Sequence, residues 1–123
     1  MGYRSDVRII MKKKDYPKFT KYVNDYIAEK NTKYNLLKDM QLIEKRTNTI
    51  YIGWDYMKWY DECPEVQAVM NALDKFEEEG LSYTYGRMGE DCDDYEEKHS
   101  HLDLPFPQIV RHFDDDNTIC ELD

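Results

Sequence analysis

Hydrophobic and polar positions alternate from Tyr3 to Met11, with Ser5, Val7, Ile9 and Met11 on one side and Arg4, Asp6 and Arg8 on the other. A period of two is that of a strand with one buried face. The run closes at Lys12-Lys13-Lys14. Asp15 is then placed to cap a helix in which Phe19, Tyr22, Val23, Tyr26 and Ile27 recur at three and four, up to Asn31. Past a loop from Thr32 to Asn35, the segments Met40–Arg46 and Thr49–Lys58 flank Thr47-Asn48. The second segment alternates Ile50, Ile52, Trp54 and Tyr56 with Tyr51, Gly53, Asp55 and Met57, so the pair predicts a hairpin. Without Asn-Gly, its turn type stays open. Pro64 suits the first turn of a second helix, Val66, Val69, Met70, Leu73 and Phe76 line one stripe of it, and Gly80 closes it. Alternation returns from Leu81 to Met88, with Leu81, Tyr83 and Tyr85 on one face.

The order strand, helix, strand, strand, helix, strand predicts an α+β domain of ferredoxin-like βαββαβ type, with a four-stranded antiparallel sheet and both helices on one face. A length of 123 residues fits a single domain. Residues 1–89 form its core and 90–123 an acidic loop and C-terminal extension. Within the extension, Phe106–Phe113 reads as a further strand, because Ile109, Val110 and Phe113 need burial.

Charge changes the picture most. Met1–Tyr60 carries 13 Lys+Arg against 7 Asp+Glu, whereas Asp61–Asp123 carries 4 against 19, which together make the net −9. So uneven a distribution sets up a field that steers oppositely charged partners to one part of the surface. Eleven tyrosines against four phenylalanines suit half-buried surfaces and interfaces. Cys63, Cys92 and Cys120 are odd in number, share no C-x-x-C spacing and follow no signal peptide, which points to a reducing cytoplasm. No stretch approaches the ~20 apolar residues of a membrane span.

Six carboxylates fall within Gly89–Glu97: Glu90, Asp91, Asp93, Asp94, Glu96 and Glu97. Their spacing misses the calcium-loop pattern, so no metal is assigned to them. Either they form a solvated loop or, with Glu77, Glu78, Glu79 and Asp114–Asp116, they present carboxylates to a basic groove in the manner of nucleic-acid phosphates. The three helix-terminal glutamates oppose the helix dipole at about 0.3 kcal/mol each, which suggests a role other than helix stability. Cys92, His99, His101 and His112 offer zinc-type ligands without a paired spacing. Ser5, Ser82 and Ser100 lie in no nucleophile motif, and no glycine-rich phosphate loop occurs, so an enzyme is not the expected class and no cofactor is implied. The aromatic run Trp54–Tyr60, with Lys12–Lys14, Lys45 and Arg46, suits stacking on RNA bases, but the RNA-recognition signature is missing and net −9 repels phosphate.

The opening Met1-Gly2-Tyr3-Arg4-Ser5-Asp6-Val7, the segment Trp54–Tyr60 and the Gly89-Glu90-Asp91 stretch resemble a group of small phage and prophage proteins of Firmicutes over about three quarters of the chain. The resemblance implies a setting and no catalytic residues: small acidic phage proteins are often inhibitors of host defence, anti-CRISPR proteins among them. The expected function is inhibition of a host protein or ribonucleoprotein effector through an acidic, DNA-mimicking surface. Glu77, Glu78, Glu79, Glu90, Asp91, Asp93, Asp94, Glu96 and Glu97 supply its charge, and Tyr83, Tyr85 and Tyr95 its contact area. A homodimer pairing Lys12–Lys14 with the acidic half of a second copy is the further partner expectation. The alternatives are a domain that binds or processes a small signalling ligand on the helix-free sheet face, and an RNA-binding module.

Overall fold

A computed structural model of the chain describes residues 3–91, 93–101 and 104–105. The elements run β1 (Ser5–Lys12), a 3-10 turn (Lys13–Asp15), α1 (Tyr16–Lys30), a second 3-10 turn (Leu36–Asp39), β2 (Leu42–Lys45), β3 (Thr49–Met57), α2 (Pro64–Glu79), β4 (Tyr83–Gly89) and β5 (Tyr95–Ser100). All strand pairs are antiparallel, in the order β2-β3-β1-β4-β5. The protein is thus α+β, with two α-helices on a five-stranded sheet among the described residues. The expectation of four strands needs correction, because Tyr95–Ser100 pairs with β4 instead of forming a loop. A charged strand at an edge needs hydrogen bonds on one side only and no apolar alternation, so hydrophobic periodicity does not reveal it. The expected strand at Phe106–Phe113 lies outside the described residues.

The core follows the period-two pattern. Val7, Ile9 and Met11 stand opposite Trp54, Ile52 and Ile50 on β3, and Ile9 and Met11 opposite Tyr85 and Tyr83 on β4. These side chains form one buried cluster with Phe19 and Val23 of α1 and Val66, Val69, Leu73 and Phe76 of α2, so both helices cover the same face. Phe76 meets Phe19 and Tyr22 edge-on, at 6.2 and 6.4 Å. The Trp54 indole N–H donates to the Leu36 carbonyl at 2.8 Å, which satisfies the polar atom of a fully buried ring. Trp54 and Trp59 therefore belong to the core and offer no base-stacking platform.

Tyr56 departs from the expected alternation. Register slips by one residue between Ser5/Val7 and their partners Met57/Trp54, so Met57 packs against the core and Tyr56 turns outward, 55% exposed at φ 58°. Both helices end on left-handed residues, Asn31 at φ 52° and Gly80 at φ 75°, with Thr32 N donating to Ile27 O and Leu81 N to Phe76 O. Asp15 sits at the N-cap of α1 without the expected side-chain cap, since the preceding 3-10 turn already holds it in the helical region. Arg46 N donates to Thr49 O, closing a two-residue turn in which neither Thr47 nor Asn48 has positive φ. Among the described residues no helix is long and apolar enough to cross a membrane.

Candidate partner-binding surface

Arg87 organises the acidic hairpin between β4 and β5. Its register places it opposite Val7 on one side and Glu96 on the other, at the edge of the helix-covered face. The guanidinium grips Asp94 through two nitrogens, at 2.8 and 3.2 Å, donates to Glu96 at 3.1 Å and reaches the Ser5 hydroxyl at 3.0 Å. A fork of donors matched to a carboxylate is the strongest form of this contact, and the Asp94 bond raises the Arg87 pKa. The Tyr3 hydroxyl donates to Asp94 at 2.5 Å and accepts from the Asp91 backbone N–H at 3.0 Å. Glu90 takes the backbone N–H of Arg4 at 2.7 Å. Turn bonds from Asp94 N to Asp91 O and from Gly89 N to Asp94 O complete a fixed loop.

Three of the six carboxylates in this stretch thus hold the fold together. Asp94 and Glu96 neutralise Arg87, and Glu90 anchors the start of β1. Asp91, Asp93 and Glu97 are exposed, as is Tyr95, whose hydroxyl donates to Glu97 at 2.7 Å. Burial, followed by that bond, raises the Tyr95 pKa. Tyr95 and Glu97 stand on the helix-free side of β5, away from Glu96.

Glu77, Glu78 and Glu79 lie elsewhere. They end α2 beside Tyr83, whereas the acidic loop follows Gly89, so the length of β4, about 20 Å, separates the two groups. Glu79 pairs with Lys18 at 3.0 Å and receives the Tyr22 hydroxyl; Glu77 receives the Tyr83 hydroxyl. The bond from Tyr22 holds the Glu79 carboxyl below its usual range. The single continuous patch expected from sequence is therefore divided in two.

Tyr83 and Tyr85, expected as contact surface, are 0% and 1% exposed and belong to the core. Alternation puts both on the helix-covered side, where desolvation raises their pKa values. The Tyr85 hydroxyl donates to Glu96 at 3.4 Å. What sequence reading missed is the pair of groups that engage the acidic loop, Tyr3 and Arg87, and Tyr60, whose hydroxyl accepts the Tyr3 backbone N–H at 2.7 Å. With Trp59, Asp61, Glu62, Asp94 and Glu96 they line an open cleft of about 330 Å³. Only the reversal of sign at Arg87, within an acidic half, marked it in the chain.

Of the zinc-type candidates, Cys92 and His112 lie outside the described residues, as do Cys120 and Asp114–Asp116. His99 pairs with Thr84 in the sheet, and His101 follows β5 at φ 64°. Among the described residues no three His, Cys, Asp or Glu side chains converge as metal ligands. Two of the sheet aromatics outside the core carry their own cations: Arg4 lies 5.0 Å from the Tyr56 ring and Arg46 4.1 Å from that of Tyr51. No protein-family model, no curated protein and no solved structure matches the chain.

Proposed function

We propose that this chain is a phage-type inhibitor of a host nucleic-acid-handling defence complex, anti-CRISPR-like in its setting, which docks through the β4–β5 hairpin. One observation carries the reading: Asp91, Asp93 and Glu97 are exposed beside Tyr95 on the strand that forms the sheet edge among the described residues. An edge strand offers backbone groups on its outer side, and aromatic area next to exposed charge is the composition of a docking surface. Six carboxylates against Arg87 and Lys98 leave a local net charge of −4, enough to steer the hairpin towards a basic groove. The acidic group at the end of α2 contributes Glu78 at most, because Glu77 and Glu79 serve internal bonds. Open-face basic groups favour RNA less, since Arg8 pairs with Asp55 at 2.6 Å and Arg46 with Glu44 at 2.8 Å.

The test uses bacteria with active CRISPR interference, challenged by a targeted phage. Expression of the chain is expected to restore plaque formation. The triple variant Asp91→Asn/Asp93→Asn/Glu97→Gln, which leaves the Arg87 cluster intact, is expected to abolish the effect. Full activity of that triple variant, or no protection by the unaltered chain, would overturn the reading.

A further inference from the structure

At the far end of β1 the charge is reversed. Lys12, Lys13, Lys14, Thr47, Asn48, Thr49 and Leu104 line a cavity of about 630 Å³, within the range of small-molecule sites and about twice the acidic cleft at Tyr3. Its position is set by backbone bonds. Lys12 stands opposite Thr49, Lys13 N donates to Asn48 O at 2.9 Å, and Arg46 N to Thr49 O at 2.8 Å. The β2–β3 turn and the 3-10 turn after β1 are thereby locked together, so the wall is built before any ligand arrives.

Every ionisable side chain on the described wall is a lysine, in a chain of net charge −9. Lys13 and Lys14 place two like charges side by side on this wall, and an anion between them is attracted by both. Thr47 and Thr49 add hydroxyls and Asn48 a carboxamide, all able to donate to phosphate oxygens. Leu104 is the apolar residue on the described wall, and the rest of a ligand would lie against its edge. A lone phosphate would fill little of this volume, whereas a charged chain joined to an apolar ring system would use both kinds of wall.

We propose that this cavity is a binding site for a nucleoside polyphosphate, with Lys13 and Lys14 on the phosphates and Thr47 and Thr49 donating to them. The site is independent of the docking hairpin, at the other end of the sheet. Isothermal titration of the full chain with ATP is the primary test, with AMP and inorganic triphosphate as comparison ligands. ATP is expected to saturate one site, AMP to bind at least tenfold more weakly, and triphosphate to bind more weakly than ATP. The double variant Lys13→Gln/Lys14→Gln is expected to weaken ATP binding at least tenfold. Removing the same charge elsewhere, in Lys33→Gln/Lys38→Gln, is expected to leave it within twofold. Amide shifts on adding ATP should be confined to residues 12–14 and 47–49 and their neighbours, which also verifies that each variant is folded. Absence of saturable binding at millimolar ATP, or equal loss in both double variants, would overturn the proposal. Triphosphate binding as tight as ATP would overturn its nucleoside part.

Discussion

The carboxylate of Asp6, fully buried, accepts the backbone N–H of Tyr56 at 2.8 Å across the irregular end of the β1–β3 ladder. This bond satisfies a donor that the bulge removes from strand pairing and keeps Tyr56 at φ 58°. Asp6→Ala should lower stability by about 1–3 kcal/mol, because it leaves that donor without its acceptor. Tyr56→Gly should relieve left-handed strain of about 1–2 kcal/mol and lose about 0.5–1 kcal/mol of stacking with Arg4, a small net gain. Urea midpoints of the two variants check the pair, and an unchanged midpoint for Asp6→Ala would dismiss the role given to the carboxylate.

Arg87→Met removes a cation that Asp94 and Glu96 share. The site is partly buried, so the expected loss is about 1–3 kcal/mol, below that of a fully buried pair. Its location matters more than its size. Hydrogen exchange should accelerate across Tyr95–Ser100 while the centre of α2 keeps its protection, and uniform acceleration would argue against a local clamp.

Two glycines should respond differently to alanine. At Gly53 a Cβ would stand 2.7 Å from both the Val7 carbonyl oxygen and the Arg8 Cδ, inside the β1–β3 contact. The backbone must shift, at about 1–3 kcal/mol. At Gly80 the nearest atom among the described residues, His101 Nε2, is 4.0 Å away, and the cost is conformational only, about 1 kcal/mol from φ 75°. Thermal unfolding should rank Gly53→Ala as the less stable variant; the reverse order would contradict the packing described for the ladder.

The Tyr22–Glu79 bond makes stability depend on pH at both ends of the scale. The Glu79 carboxyl is held below its usual range by Tyr22 and then Lys18, so its contribution is present above the unfolded carboxylate pKa and is lost as pH falls through the folded one. The Tyr22 hydroxyl is pushed up to about 12 by the same bond, so its contribution is present below the usual tyrosine pKa of about 10 and lost as pH rises towards about 12. Tyr22→Phe should flatten both limbs of the midpoint-against-pH curve. Identical curves for the two proteins would show that the bond carries no linkage.

Much of the architecture was legible in the chain. Val7, Ile9 and Met11 announced β1, the spacing from Phe19 to Ile27 announced α1, and Pro64 and Gly80 bracketed α2 within a residue. Tyr56 and β5 were misread for a shared reason: a bulge and a charged edge strand are settled by the neighbouring strand and leave no period of their own. The surface reading suffered more. Tyr83 and Tyr85 satisfied the strand pattern that buries them, and their use as contact area ignored which side that pattern placed inward.

Sequence alone determined the elements, the apolar face of each and the separation of basic from acidic halves, because periodicity and composition act between residues a few positions apart. Tertiary structure alone decided which charges are consumed and which remain. Tyr3 meets Asp94 across 91 positions, Arg4 meets Glu90 across 86 and Tyr22 meets Glu79 across 57. Pairing of charges depends on distance in space, and only the closed sheet with its two helices brings those groups together.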